Sequence, residues 1–278
     1  MTEKLPGDTW LWRLAKRFLT KSFIKKYNLC VQGVDKIPKP PFLIIGNHTH
    51  FLDPLFINAI LDYPIVWVAA RGTFQAWWAG PILKASGAIA KQKGVPDMNT
   101  IRQIYATLRK SGIVGIFPEG SVTWNGNFGE LPKGTNKLLE KVKVPILAAK
   151  IHGGYLSKPR WADYARKGKI EIELAIFEDE RAIDFISDSE WDWQEKKKIK
   201  FIGKNKAEGI ERVIWFCPKC QTFKSIKAKG DKAKCTKCGY ELIVDEYGYV
   251  NNSRLDFLMA EQERILYPNY ALRRKRET

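Results

Sequence analysis

Long apolar runs are missing from this sequence. No window approaches the roughly 18 consecutive apolar residues of a membrane-spanning helix, and the N-terminus lacks an uninterrupted apolar stretch before a small-residue cleavage site. Acidic residues are in deficit, because 30 Asp and Glu stand against 47 Lys and Arg, a formal net charge of +17. We therefore expect a chain that does not cross a membrane, is soluble or lies on a membrane surface, and meets anionic partners.

Cysteine is also scarce, with five residues in 278, and four of the five form two Cys-x-x-Cys pairs. Cys217 and Cys220 make the first pair, and Cys235 and Cys238 make the second after a gap of 14 residues. This is the spacing of a zinc ribbon, in which two knuckles each give two thiolates to one tetrahedral ion. The pattern predicts a structural Zn²⁺ in a reducing compartment and leaves Cys30 as a buried free thiol.

The middle of the chain alternates short apolar segments with segments of helical periodicity. The predicted strands cover residues 42–46, 65–69, 113–117, 144–151 and 170–177, and the predicted helices cover 54–61, 74–86, 97–110 and 135–143. Strands that alternate with helices predict an α/β fold with a mainly parallel sheet flanked by helices. We assign residues 30–185 to this domain.

An N-terminal segment, residues 1–29, precedes this domain, and residues 8–27 are predicted to form one amphipathic basic helix. Its apolar face holds Leu11, Leu14, Ala15 and Phe18 with Trp10 at the edge, and Lys and Arg side chains lie opposite. Such a helix is typical of the membrane interface. An ordinary surface helix packed on the core has the same pattern.

The composition changes after residue 185. Residues 186–212 combine two tryptophans with a lysine run and little periodicity, so we expect a linker there. The zinc ribbon is expected over 213–250. Residues 251–278 are expected to hold a final helix, over 253–265, and a basic tail.

Two turns that follow predicted strands carry the candidate chemistry. His48 comes directly after the strand 42–46 and therefore lies at the carboxyl edge of the sheet, where α/β folds bind their ligands. Asp53 follows five residues later, where a carboxylate can fix the imidazole tautomer and leave the other ring nitrogen as a general base. Glu119 follows the strand 113–117 in a Pro-Glu-Gly turn at the same predicted edge. This set suggests acid–base chemistry on a hydroxylated substrate.

In this order the motifs resemble those of the glycerolipid acyltransferase superfamily, which includes the 1-acylglycerol-3-phosphate acyltransferases. Asn47-His48 with Asp53 matches the Asn-His-x-Ser/Gln-x-x-Asp block, and residues 117–120 match the Phe-Pro-Glu-Gly block. Weaker matches are the segment 87–93, Lys133-Gly134 and the Val-Pro-Ile strand at 144–146. The resemblance covers about residues 30–180.

The resemblance implies roles for individual residues. His48 and Asp53 are expected to be catalytic. The residues expected to bind substrate are Asn47, Arg71, Lys93, Glu119, Gly120 and Lys133, with Arg71 and Lys133 as phosphate contacts and Glu119 either binding glycerol or bracing its loop.

Three positions depart from the family pattern. His50 replaces Ser or Gln, Lys93 replaces Arg, and Val122 replaces an arginine. Lys93 keeps its charge but lacks the guanidinium fork that suits a phosphate, and Val122 has no charge. The resemblance therefore supports the family's type of reaction more strongly than it supports the family's acceptor.

The implied reaction is transfer of a fatty acyl group from acyl-CoA or acyl-carrier protein to a lysophospholipid hydroxyl, by a peripheral protein at the cytoplasmic face of a membrane. Two other hypotheses stay open: a nucleic-acid-binding protein that works through its basic ribbon, and a catalytically idle relative that binds lipid. Residues 217–243 contain seven lysines, which allow three interpretations. They could contact a nucleic-acid backbone. They could instead form a docking surface for an acidic acyl-carrier protein, a lipid headgroup or the catalytic domain, or be a basic face exposed to solvent.

Overall fold

The computed structural model describes residues 5–18, 20–33, 35, 37–92, 94, 97–132 and 134–266. The chain divides into two compact units. The first, here called the sheet unit, holds the residues up to 122 together with 128–152 and 170–188. The second, here called the ribbon unit, holds 123–127, 153–169 and the residues from 189 onward.

Seven strands form the sheet of the first unit. They are β1 (Leu29–Gln32), β2 (Phe42–Gly46), β3 (Val66–Ala70), β4 (Ile89–Lys91), β5 (Ile113–Ile116), β6 (Ile146–His152) and β7 (Ile170–Phe177). Their order across the sheet is β1-β7-β6-β2-β5-β3-β4. All neighbours run parallel except β6 and β7, which are antiparallel. The predicted mainly parallel α/β sheet is therefore confirmed, and β1 and β4 are additions that the sequence pattern did not predict.

Ten α-helices lie in the described part of the chain. They are α1 (Trp10–Phe18), α2 (Thr20–Tyr27), α3 (Asp53–Ile60), α4 (Ala79–Ala85), α5 (Met98–Arg109), α6 (Thr135–Lys141), α7 (Gly154–Ser157), α8 (Arg181–Ile186), α9 (Glu190–Lys197) and α10 (Leu255–Leu266). Helices α7, α9 and α10 belong to the ribbon unit and the others to the sheet unit. No helix in the described ranges combines the length and apolar character needed to cross a membrane.

The central strand β2 shows why the sheet is buried on both faces. Side chains alternate across a strand: Phe42 and Ile44 join one apolar cluster, whereas Leu43 and Ile45 join another. All five residues of β2 are buried, as expected for a parallel strand covered by helices on both sides.

The predicted helix 8–27 is two helices, and residue 19 lies outside the described residues. The exposed apolar stripe of α1 consists of Trp10, Leu14 and Phe18, one turn apart, whereas Leu11 and Ala15 are half-buried. Lys16, expected on the solvent side, forms an ion pair with Asp62 at 2.8 Å. The rotation of the helix about its axis therefore differs from the prediction, because the lysine has a carboxylate partner in the sheet unit.

The ribbon unit has its own core and a three-stranded antiparallel sheet. The strands are β8 (Ile226–Lys229), β9 (Lys232–Cys235) and β10 (Glu241–Ile243), in the order β10-β9-β8. Residues 186–212, expected to be a linker, instead contain α9, whose Trp191 and Trp193 are buried in this core. Their large apolar area explains the ordered packing of a segment whose charged composition suggests a linker.

Candidate active site and metal site

The candidate active site lies where two neighbouring parallel strands end. Strands β2 and β5 pair in register with Ile45 opposite Ile116. The segments that leave their carboxyl ends therefore emerge side by side. One segment carries His48 and the other carries Glu119, so the structure brings the two predicted motifs to one edge of the sheet.

The imidazole of His48 is hydrogen-bonded to the carboxylate of Asp53. Nδ1 of His48 lies 2.9 Å from Oδ2 of Asp53. Asp53 is fully buried, whereas the His48 side chain is 18% exposed. Because the bond uses Nδ1, the second ring nitrogen, Nε2, is not engaged by this carboxylate and is the one that could exchange a proton with another group.

The Asp53 carboxylate is fixed by the turn that precedes α3. Oδ2 accepts hydrogen bonds from the backbone N–H groups of Thr49 and His50 at 2.7 and 2.8 Å. Asp53 is also the first residue of α3, where the positive end of the helix dipole favours an anion. These donors compensate the burial of a charge that would otherwise be costly.

Glu119 braces the site from the second motif. Its turn has Pro118 at the second position and is closed by a hydrogen bond from Gly120 N–H to the Phe117 carbonyl at 3.0 Å. Oε1 of Glu119 accepts from the His48 backbone N–H at 2.6 Å, and Oε2 accepts from the Gly129 N–H at 2.7 Å. Burial raises the pKa of Glu119 to about 7, although both backbone N–H bonds favour its ionised form.

A stack of aromatic rings supports one face of His48. The rings of His48 and Phe117 lie 4.3 Å apart with planes 19° apart, and Phe117 stacks on Trp67 at 5.2 Å and 8°. Gly115 is the strand partner of Trp67. A Cβ at residue 115 would lie 2.5 Å from the Trp67 ring, so the indole needs a glycine there.

Asn47 and His50, although part of the first motif, make contacts within the protein. The Asn47 amide exchanges two hydrogen bonds with the backbone of Ile151 in β6, at 2.8 and 2.7 Å. The buried His50 ring stacks on Phe51, and its Nδ1 accepts from the Leu52 N–H at 2.9 Å. The structure thus gives Asn47 a bracing contact with β6, and the expected substrate contact of Asn47 stays a prediction.

The other predicted substrate-binding residues are distributed unevenly. Arg71 is exposed at the start of the 3₁₀-helix Arg71–Gln75, directly after β3, and therefore lies at the carboxyl edge of the sheet. Gly120 is exposed with a φ of +71°, a backbone conformation that favours glycine. Lys93 and Lys133 lie outside the described residues, so the structure gives no contact for either.

Two supporting residues, Thr49 and Trp67, were not singled out in the sequence. Thr49 contributes a backbone N–H, which any residue type except proline supplies, and a hydroxyl that donates to Oδ1 of Asp53 at 3.3 Å. The position of Trp67 could have been predicted in part. A glycine inside a buried strand indicates close packing by a neighbouring group, and Gly115 lies in such a strand.

The four predicted metal ligands converge in the ribbon unit. Their Sγ atoms all lie within 4.8 Å of one another. Sγ of Cys217 is 3.6 Å from that of Cys238, and Sγ of Cys220 is 3.7 Å from that of Cys235. Tetrahedral zinc with Zn–S bonds of about 2.3 Å places its sulfurs about 3.8 Å apart. The donor set and its spacing therefore fit Zn²⁺.

The sequence matches known acyltransferases over the segment that carries the site. Residues 28–152 match the family model described as Acyltransferase. The predicted resemblance to the acyltransferase superfamily is therefore confirmed for this segment.

Named relatives are 1-acyl-sn-glycerol-3-phosphate acyltransferases. The Bacillus subtilis protein is 28% identical over 132 residues, which are 47% of this chain and 63% of that protein. The Pseudomonas aeruginosa protein is 28% identical over 152 residues, 52% of this chain and 56% of that protein. The chain thus spans less than two thirds of the length of either relative.

A solved structure has a similar fold. The crystal structure of the 1-acyl-sn-glycerophosphate acyltransferase PlsC from Thermotoga maritima matches with a TM-score of 0.52 at 18% identity. The match covers 66% of this chain and 82% of that chain. At this identity the likeness concerns the fold.

Proposed function

We propose that the protein transfers a fatty acyl group from a thioester donor, acyl-CoA or acyl-carrier protein, to the hydroxyl of a lysophospholipid similar to 1-acylglycerol-3-phosphate. The observation that carries the proposal is the 2.9 Å contact between His48 Nδ1 and the buried Asp53 carboxylate at the sheet edge. The names of the curated relatives support the same acceptor class.

The proposed reaction is direct transfer. Nε2 of His48 removes the proton from the acceptor hydroxyl, and the hydroxyl oxygen attacks the thioester carbonyl carbon. The C–S bond then breaks, the thiolate takes the proton from the imidazolium, and an ester and a free thiol result. Asp53 stabilises the imidazolium and holds its tautomer. General-base help of this kind typically contributes about 10²- to 10⁴-fold in rate.

Glu119 is proposed as a positioning residue, because both its oxygens are engaged by backbone N–H groups, one of them that of His48. Asn47 has the same kind of role. Phosphate contacts are assigned to Arg71, from its place at the sheet edge, and to Lys133, from its position in the sequence, and Lys93 is assigned to substrate binding. Val122, which stands where the family pattern has an arginine, brings no charge to the acceptor headgroup.

Helix α1 is proposed to lie on the cytoplasmic face of a membrane. It exposes Trp10 (69%) and Phe18 (62%), and Arg13 and Arg17 are exposed beside them. Trp77, which is 88% exposed before α4, is a second apolar contact. Aromatic side chains favour the interface, and each basic residue near an anionic leaflet contributes about 1 kcal/mol.

Zinc is proposed as a structural ion of the ribbon unit, held by Cys217, Cys220, Cys235 and Cys238. Backbone N–H groups of Cys220 and Cys238 point at the sulfurs of Cys217 and Cys235, both at 3.5 Å, which is the arrangement of two knuckles. The ion supplies folding free energy when bound, and no step of the reaction uses it.

The test follows release of free thiol from palmitoyl-CoA with lysophosphatidate, for the wild-type protein and His48→Ala side by side. Turnover by the wild type and its loss in the variant support the proposal. Absence of thiol release, both with these substrates and with palmitoyl acyl-carrier protein and acceptors that lack a phosphate, contradicts it and favours an idle lipid-binding relative. Salt-sensitive binding to DNA without acyl transfer favours the nucleic-acid hypothesis.

A further inference from the structure

The solvent face of the ribbon sheet carries four lysines in two directly opposed pairs. In the antiparallel pairing of β8 and β9, Lys227 faces Lys234 and Lys229 faces Lys232. All four are exposed, while the alternate residue Ala233 is buried. These four residues are called the lysine face below.

This arrangement opposes the stability of the sheet. Like charges directly opposite each other across a strand pair are destabilising. The nearest compensation comes from Glu241 on β10, which lies 3.3 Å from Lys232 and 3.8 Å from Lys234. Among the described residues, Lys227 and Lys229 have no carboxylate partner. Replacing Lys227 or Lys229 would therefore be expected to stabilise the sheet. Since both lysines are present, the face is suited to binding an anion from outside the chain.

The composition of the face selects the kind of anion. Residues 217–243 contain seven lysines and no arginine. The face therefore lacks the guanidinium forks that read guanine and clamp phosphates. The two remaining exposed strand positions are Glu241 and Ile243, so the strands offer no aromatic ring for stacking bases. Ile243, 45% exposed and opposite Lys232, instead offers an apolar contact to a protein.

The spacing of the lysines suits an acidic helix. Residues two apart on a strand are about 6.8 Å apart, and directly opposed residues have Cβ atoms about 4.5–5.5 Å apart. Carboxylates three or four residues apart on a helix surface are separated by about 5–6 Å between Cβ atoms. A helix with acidic residues at this period can therefore pair with several lysines at once.

We propose that the lysine face docks the acidic acyl-carrier protein that brings the acyl thioester. The inference rests on the proposed function, which requires a thioester donor. A carrier has to bind and leave in every turnover, and charge pairing on an exposed face gives fast, salt-sensitive association. When the carrier is bound to one part of the protein, the local concentration of its thioester is also raised for the other parts of the same protein.

The experiment uses the full-length zinc-loaded protein and purified palmitoyl acyl-carrier protein with a fluorescent label, at low salt. The test variant is K227E/K229E. The matched control, K196E/K198E, changes the net charge equally at two exposed lysines of the same unit, one in α9 and one at its C-terminal end. Glutamates opposite Lys234 and Lys232 create favourable cross-strand pairs, so we expect the thermal midpoint of the test variant not to fall.

We expect K227E/K229E to weaken carrier binding about tenfold or more, and the control to change it by less than about twofold. The ratio of kcat/KM with palmitoyl acyl-carrier protein to that with palmitoyl-CoA should fall by a similar factor. Equal binding by all three proteins, or none by the wild type, overturns the inference.

Two further outcomes identify a different occupant. If K227E/K229E keeps carrier binding but loses binding to phosphatidylglycerol vesicles, the face is a membrane contact and the inference is wrong. If it loses binding to single-stranded DNA instead, the face binds nucleic acid and the inference is equally wrong. The binding assay needs no turnover, so failure of the acyltransferase proposal is read separately, from the comparison of His48→Ala with wild type.

Discussion

The imidazole of His48 lies nearly parallel to the ring of Phe117, with the ring centroids 4.3 Å apart. An aromatic face attracts a cation placed over it, so this contact would strengthen in the proposed reaction, in which His48 takes a proton. Phe117 is itself backed by Trp67. The stack therefore fixes the plane of the imidazole and suits the role proposed for it.

The first prediction concerns this stack. Phe117→Leu keeps an apolar side chain but removes the π-face, so we expect kcat/KM to fall about 2- to 10-fold, the equivalent of the roughly 0.5–1.5 kcal/mol of an aromatic pair. Phe177→Leu, which breaks the ring contact with Phe185 elsewhere in the sheet unit, is the control. A kcat/KM in Phe117→Leu equal to that of wild type would contradict the role of the stack.

The second prediction concerns Asp53. Asp53→Asn can still accept hydrogen bonds from Thr49 and His50, but it cannot stabilise an imidazolium. We expect kcat to drop on the order of 10²-fold or more with a folded protein by circular dichroism. Asp184→Asn, an exposed change in α8, should leave kcat unaltered. The double variant His48→Ala/Asp53→Asn should be no slower than His48→Ala, because the pair acts as one unit.

The third prediction concerns the pH dependence of stability. Burial raises the pKa of Glu119 from its usual 4.5 to about 7 in the folded protein. Between these values the folded state keeps a proton that the unfolded chain has lost, so this group makes the free energy of unfolding fall as the pH rises to about 7. Glu119→Gln has no proton to lose. The difference in thermal midpoint between wild type and Glu119→Gln should therefore vary with pH between 4.5 and about 7. Glu140→Gln, an exposed change, is the control, and its difference from wild type should stay constant over the same range.

The fourth prediction concerns the metal. The purified protein should contain one zinc ion per chain by mass spectrometry. Cys238→Ser or a chelator should lower the thermal midpoint of the ribbon unit by about 10 °C, since each kcal/mol lost shifts it by a few degrees. Cys30→Ser should keep the ion. A zinc-free protein with an unchanged midpoint in Cys238→Ser would exclude a structural site.

The fifth prediction concerns α1. Leu14→Ser/Phe18→Ser removes two apolar side chains from the exposed stripe. Cosedimentation with vesicles of phosphatidylcholine and phosphatidylglycerol should weaken about tenfold or more, since full burial of each such side chain is worth about 1.5–3 kcal/mol. Met98→Gln changes another exposed apolar residue of the sheet unit and should keep vesicle binding. Equal binding by all three proteins would argue that α1 is an ordinary surface helix.

The sequence was sufficient for features that depend on local pattern. Strand Phe42–Gly46 and strand Ile170–Phe177 were predicted to the residue. The first is an apolar run that ends in a glycine, and the second has the alternating pattern of a strand. The His48–Asp53 pair follows from spacing, since the intervening turn is short enough to bring the side chains together. The four cysteines follow from the repeated Cys-x-x-Cys pair.

Other features depend on tertiary contacts and were missed. Strands β1 and β4 have four and three residues, too few for a periodic signal, and they form because β7 and β3 offer them partners. The bracing contact of Asn47 needs the register of β2 with β6. The buried tryptophans of 186–212 lie among charged residues, so composition alone indicates a linker.

The path of the chain between the two units has a practical consequence. The backbone leaves the sheet unit after His152, supplies residues 153–169 to the ribbon unit, and returns to form β7. Cutting the gene at residue 189 would therefore strip 153–169 of the core against which Tyr155 and Trp161 pack. Removing 153–169 as well would leave a gap before β7, which links β1 to β6. Neither unit is one continuous stretch of chain, so isolating the sheet unit would need redesigned connections in place of residues 123–127 and of residues 153–169.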